Sequence, residues 1–218
     1  MKRAGITFLA LTTILCGLFF LTACKKGPLS LDQQFDVYSK AKPVSISDGE
    51  TYYLWVKDSQ DKTVDSLKYM IPKEWELDLE QSLKPNEDVA YTAKEDGRYF
   101  LVQIYTLRIQ DNQKLSEKAL KQTMIDDGHH FSKEGKVTIG DKEWLTGYER
   151  SEQANKASAI SFYRLEKDSS GNPMILVGNF LYPTYPGKGE DDVDALVERG
   201  IGHLKTILKQ LSSQDQFS

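Results

Sequence analysis

Residues 191–211, DDVDALVERGIGHLKTILKQL, carry the most regular pattern in the chain. Val193, Leu196, Val197, Ile201, Leu204, Ile207, Leu208 and Leu211 recur at steps of three, four and one, which gathers them into one apolar stripe on an α-helix. Glu190, Asp191, Asp192 and Asp194 crowd its start, and Lys205 and Lys209 lie near its end, each group facing the macrodipole pole of opposite sign. Gly200 and Gly202 would each cost about 1 kcal/mol relative to alanine inside a helix. A helix that tolerates both is expected to press closely on a sheet as its main cover.

The segments upstream supply that sheet. Tyr99-Phe100-Leu101-Val102-Gln103-Ile104-Tyr105-Thr106-Leu107 is apolar on both faces, as a central strand covered by helices would be. Ala157 to Leu165 and Met174 to Tyr182 read as a strand pair joined by Asp168-Ser169-Ser170-Gly171-Asn172-Pro173. Val137-Thr138-Ile139 and Glu143 to Glu149 flank Gly140-Asp141-Lys142, a tight turn that predicts a hairpin. Tyr52 to Val56, Ser66 to Ile71 and Trp75 to Leu79 add three strand candidates, with Pro72-Lys73-Glu74 as a turn because proline cannot donate to a ladder. Ser116 is placed to cap a helix that runs to about Gly128 and buries Leu120 and Met124. The expectation is an α+β fold, a mainly antiparallel sheet covered by a long C-terminal helix and one internal helix. A single domain over residues 51–211 and a polar tail at 212–218 complete it.

The first 23 residues carry a different signal. Lys2 and Arg3 precede an apolar run from Ala4 to Leu21, which ends in Leu21-Thr22-Ala23-Cys24. That ending resembles the lipobox read by prolipoprotein diacylglyceryl transferase and signal peptidase II. Small residues before Cys24 would admit the chain to a narrow peptidase site, and the thiol is the group acylated. A run of about 18 residues is near the minimum that spans a bilayer, but the order of charge, apolar run and small residues fits a cleaved export signal. The expected location is therefore the extracytoplasmic face of the cell membrane, with the palmitate-bearing diacylglyceryl group of Cys24 as the membrane partner. Two acyl chains anchor stably where one is marginal.

Loss of residues 1–23 removes Cys16 and leaves Cys24 capped, so no thiol remains for a disulfide, a metal or a nucleophile. An exported protein without disulfides points to a Gram-positive source. The formal charge moves from −4 to −6, with 26 basic against 32 acidic residues, which argues against nucleic acid as a partner. Residues 24–50 are polar and read as a flexible tether of roughly 25–30 Å reach. The tether is the favoured reading, and Leu31, Phe35, Val37 and Tyr38 leave open a short helix that docks on the domain.

Tyr69-Met70-Ile71-Pro72-Lys73-Glu74-Trp75, followed after the first helix by Ile139-Gly140-Asp141-Lys142-Glu143-Trp144-Leu145-Thr146-Gly147-Tyr148, then a strand pair and a terminal helix, resembles the PsbP/DcrB-like α/β group over roughly residues 64–211. The resemblance implies a non-enzymatic antiparallel sheet with helices packed on it, used in assembly or binding, with no catalytic residues to carry over. It also implies packing and turn roles for Trp75 and Gly147. Residues 44–57 depart from that pattern.

Chemistry-bearing residues are sparse. His129-His130 stand beside Asp126 and Asp127, but neighbouring residues at a helix end point apart and the usual ligand spacings are missing. They read as helix-end histidines, with no metal and no cofactor expected. His203 reads as a flank of the terminal helix stripe. No serine lies in a nucleophile-elbow context, and Gly187-Lys188-Gly189 lacks the rest of a phosphate loop. No catalytic residue is expected and the chain is not read as an enzyme.

One loop stands out. Tyr182-Pro183-Thr184-Tyr185-Pro186-Gly187-Lys188-Gly189 holds two rigid aromatics beside a cation at the end of the sheet. Tyr182, Tyr185 and Lys188 are the candidate contacts for a protein partner. Equally open is that both rings fold back over the sheet end. The expected function is a non-catalytic binding or assembly module at the cell envelope. The alternatives are a surface immunity lipoprotein that intercepts a bacteriocin or toxin, and an enzyme with an unrecognised site.

Overall fold

The computed structural model describes residues 29–58, 60, 62–78, 88–95, 97–109, 115–150, 157–183 and 191–212. Along the chain these form α1 (Leu31–Ser39), β1 (Gly49–Lys57), β2 (Thr63–Pro72), β3 (Glu76–Leu77), β4 (Asp88–Glu95), β5 (Arg98–Arg108), α2 (Glu117–Asp126), β6 (Lys133–Ile139), β7 (Lys142–Glu149), β8 (Ala157–Lys167), β9 (Pro173–Pro183) and α3 (Asp191–Ser212). Seven strands make one antiparallel sheet in the order β3-β4-β5-β9-β8-β7-β6, and β1 and β2 pair separately as a hairpin. The fold is α+β, with helices on both faces of a mainly antiparallel sheet.

Helix α3 covers one face, as its stripe requires. Val197, Ile201, Leu204, Ile207, Leu208 and Leu211 are all fully buried. The helix can lie this close because Gly178 of β9 sits under it; a Cβ there would approach Leu204 and Leu208 to 3.1 and 2.9 Å. Gly200 meets the ring of Phe180 on β9, at 2.5 Å from where its Cβ would be. Gly202 has a different neighbour: the carbonyl of Lys42, 2.6 Å from the same construction. One of the two glycines therefore serves the sheet and the other the chain segment that follows α1.

Over its described part, residues 29–50, that segment departs from the expected flexible tether and from a domain starting at residue 51. Ser30 and Gln33 form a reciprocal capping box at the start of α1. Phe35 packs over Gly135 of β6, and Tyr38, Ser39 and Ala41 are buried. The Val44 amide donates to the Gly202 carbonyl at 3.0 Å and Thr206 donates back to the Val44 carbonyl at 2.6 Å. The domain begins at α1. The short helix that Leu31, Phe35, Val37 and Tyr38 permit is formed and docked.

On the α3 face the remaining elements divide by flank. The β1–β2 hairpin lies on the β4–β5 side, where Tyr52 and Tyr69 meet Tyr91 edge-on at 5.6 and 6.3 Å. Helix α1 lies on the β6–β8 side. The opposite sheet face carries α2, whose Leu120 and Met124 pack with Leu145, Tyr163, Ile175 and Val177. The β6–β7 turn has Gly140 at φ +67°, in the left-handed region that glycine adopts without strain. Trp75 is buried, and Gly147 is mid-strand on β7 rather than in the expected turn. The Phe131 ring occupies the space its Cβ would take.

Candidate functional site

Of the three candidate partner contacts, only Tyr182 is among the described residues. Tyr182 lies next to the end of β9 and is 5% exposed, so of the two open readings its ring follows the one in which it folds back over the sheet end, and it is a core residue rather than a solvent-facing anchor. Its hydroxyl hydrogen-bonds to that of Tyr148, which also donates to Gln34 of α1 at 2.9 Å. The Tyr38 ring stands edge-on to both, at 5.5 and 6.4 Å, and its hydroxyl donates to the Asp194 carboxylate at the start of α3. Burial, followed by the neighbouring tyrosines, raises the Tyr182 pKa far above the usual phenol range. Three tyrosines and an aspartate thus tie α1, β7, β9 and α3 together. Tyr185 and Lys188 lie outside the described residues, and so does Cys24.

The histidines separate as their spacing predicted. His130 is exposed, whereas His129 turns into a polar cluster on the α2 face of the sheet. Its Nδ1 is 2.9 Å from Glu149 Oε1 and its Nε2 is 2.9 Å from the Tyr105 hydroxyl. Tyr105 in turn donates to Asp127 at 2.9 Å and accepts from the Asn179 amide at 3.4 Å. The His129 ring stacks on Phe131 at 5.4 Å, and Phe131 on Tyr163 at 5.7 Å. With both ring nitrogens engaged and one face covered, His129 braces the turn after α2 against β5 and β7. Among the described residues no serine, threonine or cysteine hydrogen-bonds to it, and no three His, Cys, Asp or Glu side chains are placed to share a metal ion.

A second cluster, this one buried, surrounds Glu95 at the end of β4. Trp75 Nε1, Arg199 Nε and His203 Nδ1 lie 3.2, 2.7 and 2.9 Å from its two oxygens. Burial alone would raise this carboxyl, but the hydrogen bonds from His203, Arg199 and Trp75 bring it below the ordinary carboxylate range. His203 is therefore more than a flank of the stripe. It joins α3 to β4 and to the turn carrying Trp75.

The hairpin turns two aromatic rings outward. On β1, burial alternates so that Leu54 and Val56 enter the core while Tyr53 and Trp55 are 45% and 43% exposed. These two rings share the outer face of the hairpin, opposite Lys68 and Ser66 of β2. An open groove of about 360 Å³ lies beneath the start of α2, with Leu120, Leu145, Tyr163 and Leu165 as its floor. Lys136 at its rim is held by Glu117 at 2.9 Å and Glu143 at 3.1 Å. The sequence reading found Tyr53 and Trp55 as strand residues. It missed their exposure because aromatic and apolar side chains occupy both faces of β1.

Among the described residues no helix is long and apolar enough to cross a membrane. No protein-family model matches the chain, and no curated protein matches it. Among solved structures the chain is similar to a point mutant of the protein Mog1, with a TM-score of 0.42 and 10% identity, over 77% of this chain and 100% of that one.

Proposed function

We propose that this chain is a lipoprotein held on the extracytoplasmic face of the cell membrane through Cys24, with a non-catalytic domain that binds a protein partner by the outer face of the β1–β2 hairpin. The observation that carries the binding reading is the pair Tyr53 and Trp55, nearly half exposed and side by side on a paired strand. Such rings bury large areas when covered, and a paired strand fixes them at little entropic cost. The Leu21-Thr22-Ala23-Cys24 ending supports the anchor. The part-buried cluster around His129 and the buried one around Glu95 support a domain without catalysis of its own, since their polar groups are spent on one another.

The test is photo-crosslinking in intact cells from a probe at Lys68, across from Tyr53, with mass spectrometry of the adduct. Trp55→Ala and Tyr53→Ala should each weaken the adduct sharply. Anchors of this type cost about 2 kcal/mol when truncated, roughly thirtyfold in affinity. Melting temperature should stay within a few degrees of the parent. A double variant that crosslinks as well as the parent would take the hairpin out of the interface.

A further inference from the structure

We propose that the outer edge of β1 pairs with the same edge of a second copy of this chain, antiparallel about Tyr53, so that two hairpins join into one sheet in the order β2-β1-β1-β2. The pairing uses backbone groups beside the aromatic face, and it needs neither the lipid anchor nor another partner. β1 and β2 form a sheet of their own, so β1 has one edge on which no strand among the described residues pairs. The direction of its backbone groups follows from β2. Met70, opposite Thr51, donates its amide to Gln210 of α3 at 2.7 Å and so turns it away from β1. Pro72, which has no amide to donate, falls in the same alternation opposite Gly49. In an antiparallel pair, residues that face each other without exchanging hydrogen bonds both turn their N–H and C=O outward. Thr51, Tyr53 and Trp55 therefore present these groups along the open edge of β1, and among the described residues nothing bonds to them.

An open edge is a template for another strand unless shortness, charge or proline blunts it. The larger sheet is protected in that way: β3 is two residues long, and β6 carries Lys133, Glu134 and Lys136. β1 runs nine residues with Thr51, Tyr53 and Trp55 at the open positions, and its charges stand toward its ends, at Glu50 and Lys57. The register identifies the occupant. About Tyr53, Thr51 faces Trp55 of the second copy, Glu50 faces Val56 and Gly49 faces Lys57, so no like charges oppose. A centre at Leu54 would set Glu50 against Asp58, and one at Tyr52 would carry Val56 and Lys57 past the start of the strand. Each facing pair at the open positions exchanges both of its hydrogen bonds, and Tyr53 beside Tyr53 and Trp55 beside Thr51 are cross-strand pairs that stabilise a sheet. The two-fold axis through Tyr53 closes the assembly at two copies. The outer faces merge into one aromatic strip that stays open to a further partner.

Two differently tagged copies of the full chain, expressed together in intact cells, test this. One carries a photo-crosslinking residue at the exposed position 51, and adducts are mapped by mass spectrometry. The expected adduct joins position 51 of one copy to residues 53–57 of the other. Tyr53→Lys and Tyr53→Glu, each present in both copies, should lose it, because like charges then meet across the axis. Co-expression of the one variant with the other should restore it. Tyr53→Pro removes an amide that the single chain leaves unbonded, so it should lose the adduct while melting within a few degrees of the parent. If the proline variant fails to fold, the charge-swapped pair decides. An adduct from position 51 to a different protein alone overturns the second copy as occupant and puts that protein's extended segment on the edge. Copies joined elsewhere, or no restoration in the mixed pair, overturn the register, and no adduct between the tagged copies overturns the pairing. The probe at Lys68 reports on the aromatic face instead, so the failure of that reading is seen separately.

Discussion

Lys205 shows what a single buried group does to this fold. It is 3% exposed, with its ammonium on the carbonyls of Ser39 and Ala41 and 5.1 Å from the centre of the Phe162 ring. Burial pushes its pKa down to about 8, and Glu198 opposes that only in part. Between about pH 8 and the ordinary lysine value the unfolded chain holds a proton that the folded chain has released, so stability rises with pH across that window. Below it both states are protonated and the full cost remains, about 3 kcal/mol. Urea midpoints from pH 7 to 10 should therefore climb in the parent relative to Lys205→Met; parallel curves would refute this. Glu95 has the opposite sign. Its lowered carboxyl contributes stability above the ordinary carboxylate range, which is lost as the pH falls through its folded value. Glu95→Ala strands three donors, two of them buried or nearly so, and should cost about 3 kcal/mol by denaturant titration. A loss under 1 kcal/mol would mean that water replaces the carboxylate.

At the level of elements, the largest departure from the sequence reading is α1, and it is directly testable. A fragment starting at Ser45 lacks Tyr38 and Ala41 from the core and removes the carbonyls that hold Lys205. It should melt at least 10 °C below one starting at Leu29, and equal melting would restore the tether. The reasons for what was readable differ by element. Helix α3 was legible because large apolar residues mark a 3.6 period over 21 positions. Strand β4 was not, since Asp88–Glu95 alternates little apolar bulk, with Ala90 and Ala93 small and Asp88, Lys94 and Glu95 charged at its ends, and it takes its burial from β5. The capping box of α1 can be seen in Ser30 and Gln33, but its docking partners stand more than 100 residues away. The His129 cluster was half visible for the same reason: Asp127 is adjacent, whereas Tyr105, Glu149 and Asn179 come from three strands.

For the whole molecule, β9 joins two halves of the sheet, pairing Leu101 with Leu181 on one side and Phe162 with Gly178 on the other. Helix α3 then locks down pieces from the opposite end of the chain: Tyr38 through Asp194, Val44 through Gly202, and the Met70 amide through Gln210. A sequence reader sees the helix and the strands but not this closure, because it is a property of pairing and not of any one segment. The closure has a consequence in time. During synthesis the first 40 residues of the domain wait for its last 20: α1 and the aromatic hairpin can meet β6 and β4 earlier, but their ties to α3 form only when translation is almost complete. Assembly dominated by such distant pairings is slow, in the range of milliseconds to seconds. Until then the apolar face of β2, with Leu67 and Ile71, lacks its α3 cover, and a nascent chain stalled before residue 191 should be a substrate for chaperones rather than a partly finished domain.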